Sequence, residues 1–175
     1  MCMQSQILFS ASDISGRVRA LGAEISEWAR GLPEPPVMLW LAEGAVVFAA
    51  DLMRGIGCDM QVVSLKVSSY GQSLKSSGTL RYSRDFCEFA GKNILLVDDI
   101  SDTGLTLREI AGKLKDSGAL QVKTCTLLCK PGKRAGARRP DFVGFDAPDS
   151  FVFGYGLDFS GRFRNLPDIR ILTKE

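Results

Sequence analysis

The densest chemistry in this chain lies in Asn93-Ile94-Leu95-Leu96-Val97-Asp98-Asp99-Ile100-Ser101-Asp102-Thr103-Gly104-Leu105-Thr106-Leu107. An apolar run ends on two adjacent carboxylates; a third carboxylate, two threonines and a glycine come next, before a helical pattern begins. A turn entering a helix presents unpaired backbone N–H groups and the positive end of the helix dipole, which together favour a phosphate. Gly104 permits close backbone approach, and Thr103 and Thr106 can add hydroxyl donors. Neighbouring carboxylates on a strand point in different directions, so at most one of Asp98 and Asp99 is easily paired inside. The other needs a cation, sugar hydroxyls or a basic side chain to offset its desolvation. Acids beside a phosphate nest therefore suit a ligand that joins sugar hydroxyls, a divalent cation and phosphate, as phosphorylated ribose does. Two other acidic strand-end motifs fail. A haloacid-dehalogenase-type phosphatase spaces its acids one residue closer than Asp99 and Asp102, and a response-regulator receiver divides its acids among strands.

The rest of the composition narrows the mechanism. The chain has no histidine, which removes Ser-His and Cys-His catalysis and the commonest metal ligand, so a general base must be a carboxylate, Lys, Tyr or Cys. Five cysteines without tight pairs argue for buried, reduced thiols and against a disulfide framework. Net charge is only +2, which gives no case for nucleic acid. No apolar run reaches membrane-spanning length, and Met1-Cys2-Met3-Gln4-Ser5 lacks the basic and apolar regions of a signal peptide; a cytoplasmic protein is expected. With 175 residues, 45% of them hydrophobic, the chain suits a single domain over 1–175.

Several elements must position these residues. Ile14, Val18, Leu21, Ile25 and Trp28 recur at helical spacing after Ser12-Asp13, which can cap, and Gly31 to Pro36 stops that helix. Buried strands are expected at Val37 to Leu41, Met60 to Val67, 93–98 and Val122 to Leu128, with helices at Ala45 to Arg54 and Thr106 to Lys115. Short strand-like runs occur later at Phe151 to Phe153 and Ile169 to Leu172. Alternating strands and helices imply an α/β fold, a parallel sheet flanked by helices, with ligands beyond the carboxyl ends of the strands. Glu43-Gly44, the Ser-rich segment 68–83, Asp98-Asp99 and Lys130 all fall at those ends.

The 93–107 segment resembles the phosphoribosyl pyrophosphate signature of the type I phosphoribosyltransferases. Lys66-Val67-Ser68-Ser69-Tyr70-Gly71 with Ser76-Ser77-Gly78 is similar to the flexible catalytic loop of their hypoxanthine-guanine branch. Lys130-Pro131, Pro140 to Phe145, Phe151-Val152-Phe153-Gly154-Tyr155-Gly156-Leu157-Asp158-Phe159 and Arg164-Asn165-Leu166-Pro167 match that branch's C-terminal order. The resemblance implies purine salvage: transfer of a 5-phosphoribosyl group from phosphoribosyl pyrophosphate to hypoxanthine or guanine, giving IMP or GMP and pyrophosphate. It also implies Mg²⁺, a homodimer or homotetramer, a lid over about 68–83, and a small hood formed by the terminal segments, its base-binding part about 140–175. In that family Asp98 and Asp99 would hold ribose hydroxyls, directly or through Mg²⁺, and Asp102 would accept a proton at the purine N7. Asp102, Thr103, Gly104, Leu105 and Thr106 would cradle the 5′-phosphate, and Glu43-Gly44 would face pyrophosphate. Lys130 would donate to the 6-oxo group, Phe151 would stack on the base, and the Val152 backbone would read its edge. Asp158 would take a second Mg²⁺ and Arg164 would contact pyrophosphate, while Ser69 and Tyr70 would close over the reacting centre.

Bland readings compete with several of these roles. Phe-Val-Phe at 151–153 is equally a core pattern, and Lys130 opens a basic loop of the kind that is usually a solvated surface. The family usually carries Lys where this chain has Glu43, beside a non-proline cis peptide; a reversed charge there should weaken pyrophosphate binding unless Mg²⁺ or an arginine from a partner subunit offsets it. Alternative functions are a xanthine-preferring enzyme of the same mechanism, or a non-catalytic relative that senses nucleotide and binds nucleic acid. Asp102, Ser69, Tyr70 and the low net charge favour the enzyme.

Overall fold

The computed structural model describes residues 4–69, 80–133 and 138–173. Its elements run β1 (Ser5–Phe9), α1 (Ala11–Arg30), β2 (Val37–Ala42), α2 (Val46–Gly55), β3 (Gln61–Ser69), β4 (Leu80–Tyr82), β5 (Asn93–Ser101), α3 (Leu105–Asp116), β6 (Gln121–Cys129), β7 (Phe142–Asp146), β8 (Val152–Phe153) and β9 (Ile169–Leu172). Six strands form one sheet in the order β4-β3-β2-β5-β6-β7, parallel except for β4.

The strands read as continuous apolar runs because successive side chains enter different cores. Met38, Leu95 and Val97 face α1 and α2, meeting Ile14, Leu21, Ile25, Phe48 and Leu52. Leu39, Leu41, Ile94 and Leu96 face the other way, onto Leu107, Ile110 and Leu114 of α3 and onto Phe89. Each fully buried Leu, Ile or Phe contributes about 1.5–3 kcal/mol. Helices α1 and α2 approach closely at Gly22, where an added Cβ would strike the Gly55 backbone. The α1 cap is Ser10, ahead of the expected Ser12-Asp13. Its hydroxyl accepts from the Asp13 amide at 3.2 Å, and its own amide donates to the Asp13 carboxylate at 3.1 Å.

Strand β5 runs to Ser101, three residues past its expected end at Asp98. Its partner β6 sustains it through Ile100↔Leu128 and Ser101↔Cys129, whereas β2 pairs with it only as far as Trp40↔Val97. From β2 the chain winds towards β3, and from β5 towards β6, so β2 and β5 flank the point where the winding reverses. Beyond Val97 the two strands part, and the crevice opens there.

The terminal segments make a second sheet, β1-β9-β8, antiparallel throughout, which is the expected hood. The stretch 140–175 is divided, however: β7 completes the large sheet, and only β8 and β9 join the hood. Phe9 of the hood stacks on Phe145 of β7 at 4.2 Å, which ties the two sheets together. Strands β1, β4 and β7 carried no clear sequence signal. Cys125 and Cys129 are buried as expected and Cys58 is half-buried, but Cys87 is exposed; Cys2 lies outside the described residues.

Candidate active site

Helix α3 begins without a side-chain cap. Its N-cap is Gly104, in the left-handed region at φ 78°, and Thr103 Oγ1 accepts from the Leu105 amide only at a long 3.4 Å. Thr103, Leu105 and Thr106 are exposed. The first-turn amides and the positive dipole end therefore face outward without a carboxylate to satisfy them, which leaves an anion site.

Asp98 and Asp99 sit where β5 outlasts β2. Asp98 Oδ1 accepts from the Asp99 amide at 3.0 Å, and Asp99 Oδ1 accepts from the Ile100 amide at 2.8 Å. Burial, and then the neighbouring charge of Asp99, holds the Asp98 carboxyl well above the usual carboxylate range. Burial also raises Asp99, against the hydrogen bonds that favour its ionised form. A raised folded-state pKa means that ionisation destabilises the folded chain. No penalty exists below the unfolded value near 3.8, and it grows as pH rises through the folded value. Asp98→Asn is therefore expected to melt higher than the unliganded parent at pH 7. The gain should disappear well below pH 3.8, where Asp98 is protonated in both the folded and the unfolded chain. Thermal melts across pH read this, and an unchanged or lower melting temperature at pH 7 sinks it.

A cavity of about 310 Å³ lies on the β2–β3 side of the acids, lined by Ala42, Glu43, Gly44, Lys66, Val67, Asp99, Asp158 and Arg164. The Ala42–Glu43 peptide is cis. Gly44 is backed by the Asp99 carboxylate, which would collide with any added Cβ. Arg164 bridges to Asp158 at 2.9 Å and donates to the Gly156 carbonyl at 2.6 Å. Asp158 also accepts from the Gly161 amide at 2.7 Å. Glu43 faces Lys66, with 3.8 Å between Oε1 and Nζ, so the reversed charge at this turn has a cationic neighbour within the chain.

A second cavity, about 470 Å³, lies on the other side and is lined by Asp99, Ile100, Asp102, Lys130, Asp149, Ser150, Phe151, Val152, Leu157 and Asp158. Lys130 is buried at the end of β6, and its Nζ lies 3.9 Å from Asp102 Oδ1. It is no solvated loop lysine. Phe151 is 49% exposed whereas Phe153 beside it is 1% exposed, so the two rings of the Phe-Val-Phe pattern divide between surface and core. Phe151 is braced edge-on by Phe159 at 5.3 Å, which leaves a ring face for a planar ligand. A carboxylate, an ammonium and an aromatic face around one cavity can hold a heterocycle with an exocyclic oxygen. A larger cavity, about 520 Å³, runs between α3 and β6 and includes Gly104, but it lacks the carboxylate pair and any aromatic wall.

Tyr155 fixes the loop between the cavities. It takes a left-handed conformation at φ 51° and is buried, and its hydroxyl donates to Asp51 of α2 at 2.6 Å. Asp51 in turn pairs with Arg54. Burial and the Asp51 contact push the Tyr155 phenol far up. Tyr155→Phe is expected to lose about 1.5–3 kcal/mol, the scale of a hydrogen bond to a charged acceptor. A denaturant midpoint equal to the parent's would show that this bond contributes nothing.

Of the expected site residues, the two cavities gather Glu43, Gly44, Asp99, Asp102, Lys130, Phe151, Val152, Asp158 and Arg164; Asp98 precedes Asp99 on β5 but lines neither cavity, and Thr103 to Thr106 follow Asp102 into the start of α3. Ser69 ends β3, but its side chain, Tyr70 and most of the 68–83 segment lie outside the described residues. Lys66, Ile100 and Leu157 fell within the quoted motifs but were given no role there, and Ser150 was signalled only by its neighbour Phe151. Among the described residues no cluster of three metal-ligating side chains exists, so the acids form no all-protein cation cage.

A family model for the phosphoribosyl transferase domain matches residues 13–160. The hypoxanthine-guanine phosphoribosyltransferase of Aquifex aeolicus (strain VF5) is 43% identical over 165 residues, covering 94% of this chain and 92% of that protein. Its namesake from Bacillus subtilis (strain 168) is 40% identical over 169 residues, with 95% and 92% covered. Among solved structures, a hypoxanthine-guanine phosphoribosyltransferase from Bacillus anthracis with HEPES in its active site aligns at TM-score 0.86 and 34% identity. That alignment covers 98% of this chain and 99% of that one.

Proposed function

The chain belongs to the phosphoribosyltransferase family, and from that membership we infer its reaction: it is a purine-salvage transferase. It moves the 5-phosphoribosyl group of phosphoribosyl pyrophosphate onto hypoxanthine or guanine, giving IMP or GMP and pyrophosphate. The observation that carries the reading is the convergence of Asp102, Lys130 and Phe151 on one cavity, beside the uncapped start of α3.

That placement supports the following residue roles. The α3 amides with Thr103, Gly104, Leu105 and Thr106 receive the 5′-phosphate, and the carboxylates at 98–99 receive the ribose hydroxyls. Lys130 donates to the 6-oxo oxygen, Phe151 stacks on the purine, and the Val152 backbone reads its edge. As the bond from C1 to pyrophosphate oxygen breaks and the C1–N9 bond forms, Asp102 accepts the proton from purine N7. Arg164 meets the departing pyrophosphate. Ser69 and Tyr70 belong to the segment that would exclude water from the oxocarbenium-like state. The oxygen-rich donors Asp98, Asp99 and Asp158 suit Mg²⁺ held jointly with substrate oxygens, as is usual for this ion. When bound it supplies positive charge to the leaving group.

The test is pyrophosphate release with Mg²⁺, phosphoribosyl pyrophosphate and, separately, hypoxanthine, guanine, xanthine, adenine and uracil. Release with hypoxanthine and guanine is expected. Release with xanthine alone keeps the mechanism and changes the substrate, while silence with every base overturns the reading. Sedimentation of the same preparation tests the homodimer or homotetramer.

A further inference from the structure

The cavity on the β2–β3 side holds a cation that none of these roles uses. Lys66 pairs in register with Ala42 across the β2–β3 ladder, one residue before the Glu43-Gly44 turn. Its ammonium lies 3.8 Å from the Glu43 carboxylate, close enough to attract and too far to hydrogen-bond. Both side chains are about two-thirds exposed, at 65% and 69%, so this pair is weak. Arg164, the other cation among the described residues lining the cavity, is already engaged by Asp158 and the Gly156 carbonyl. A polyphosphate entering here meets three acids, Glu43, Asp99 and Asp158; among the described residues lining the cavity, Lys66 is the cation whose ammonium is held only by a loose ion pair, whereas Arg164 already gives two of its five N–H groups to protein acceptors.

We propose that Lys66 is a pyrophosphate-binding residue and that Glu43 holds its ammonium at the cavity until pyrophosphate displaces it. The proposal rests on reading this cavity as the pyrophosphate side of the site. The exchange is favourable because a loose carboxylate–ammonium contact in solvent is replaced by a charge-assisted hydrogen bond to a more highly charged phosphate. The displaced Glu43 then stands beside the anion. Glu43 lowers affinity twice, by competing for Lys66 and by repelling the ligand, and so keeps the product from binding too tightly to leave.

The experiment is calorimetric titration of the full chain with Mg²⁺-pyrophosphate, using the parent, Lys66→Gln, Lys66→Arg, Glu43→Gln and the Lys66→Gln/Glu43→Gln double variant. Lys66→Gln should weaken binding about tenfold or more, the scale of one charged hydrogen bond, and Lys66→Arg should recover most of it. In turnover, Lys66→Gln should raise KM for phosphoribosyl pyrophosphate while leaving KM for the base unmoved. Glu43→Gln should tighten pyrophosphate binding severalfold, and by less when Lys66 is already Gln. Binding by Lys66→Gln within twofold of the parent overturns the contact. An equal Glu43→Gln gain in both backgrounds overturns the holding role. A parent that binds no Mg²⁺-pyrophosphate overturns the assignment of the cavity itself, and the proposal with it.

Discussion

Asp102→Asn should lower kcat by about 10²–10⁴ while leaving phosphoribosyl pyrophosphate binding largely intact. The substitution keeps the shape of the side chain and removes its capacity to take a proton. Asp102 lines the base-side cavity with Lys130 and Phe151 and does not line the cavity that holds Arg164, so the change is confined to base chemistry. Lys130 is buried with Asp102 as a neighbour 3.9 Å away, so the variant should also disturb the proposed contact of that ammonium with the 6-oxo oxygen, and KM for the base should rise. Steady-state turnover and direct ligand titration separate the two effects. Unchanged turnover would remove Asp102 from the proton-accepting role, whereas lost phosphoribosyl pyrophosphate binding would make it a ligand-positioning group.

Gly156→Ala should damage stability and substrate binding together. Gly156 has φ 96°, and an added Cβ would lie 2.5 Å from the Gly44 carbonyl oxygen and 3.4 Å from Val47 Cβ. The nearer atom is backbone, so no rotamer change relieves it. Gly44 is itself packed against the Asp99 carboxylate, which leaves its turn little room to shift. The three residues form a stack in which acid, turn and loop sit against one another. Left-handed strain and overpacking together give a loss of about 2–4 kcal/mol, or roughly 5–15 °C in Tm. KM for phosphoribosyl pyrophosphate should rise as well, since the Gly44 turn and Asp158 are both displaced. A variant that melts like the parent would mean that the two loops part at little expense and that their contact does not shape the site.

The layers of the fold were legible because β2 and β5 are buried on both faces and α1 and α3 keep helical apolar spacing. Local pattern suffices for such elements. The extension of β5 to Ser101 was not legible, since Asp98, Asp99 and Ser101 look like the polar end of a strand and only pairing with β6 sustains them. Likewise β1 is too short and too exposed to declare itself, and it exists because Ile7 and Phe9 find partners in β9 at the far end of the chain. In the candidate site, the motif named Asp99, Asp102, Lys130, Phe151, Val152 and Asp158, which line one cavity. It could not find Lys66 opposite Glu43 or Tyr155 on Asp51, because register and loop packing bring these together across the sequence. The difference at Phe151 and Phe153 is of the same kind. Residues two apart on a strand would share a face, but β8 starts only at Val152, so Phe151 precedes it and stays exposed while Phe153 is buried.

Asp99 and Asp158 line both cavities, so the partition between them is two carboxylates thick. Such a wall does not insulate. A cation-bound pyrophosphate that draws on these carboxylates from one side changes the charge felt by the heterocycle on the other. Thermodynamic linkage then requires the two ligands to alter one another's affinity by the same factor. Order of addition becomes a property of this shared wall. Inhibitors that imitate only one half-ligand should change in potency with the concentration of the other.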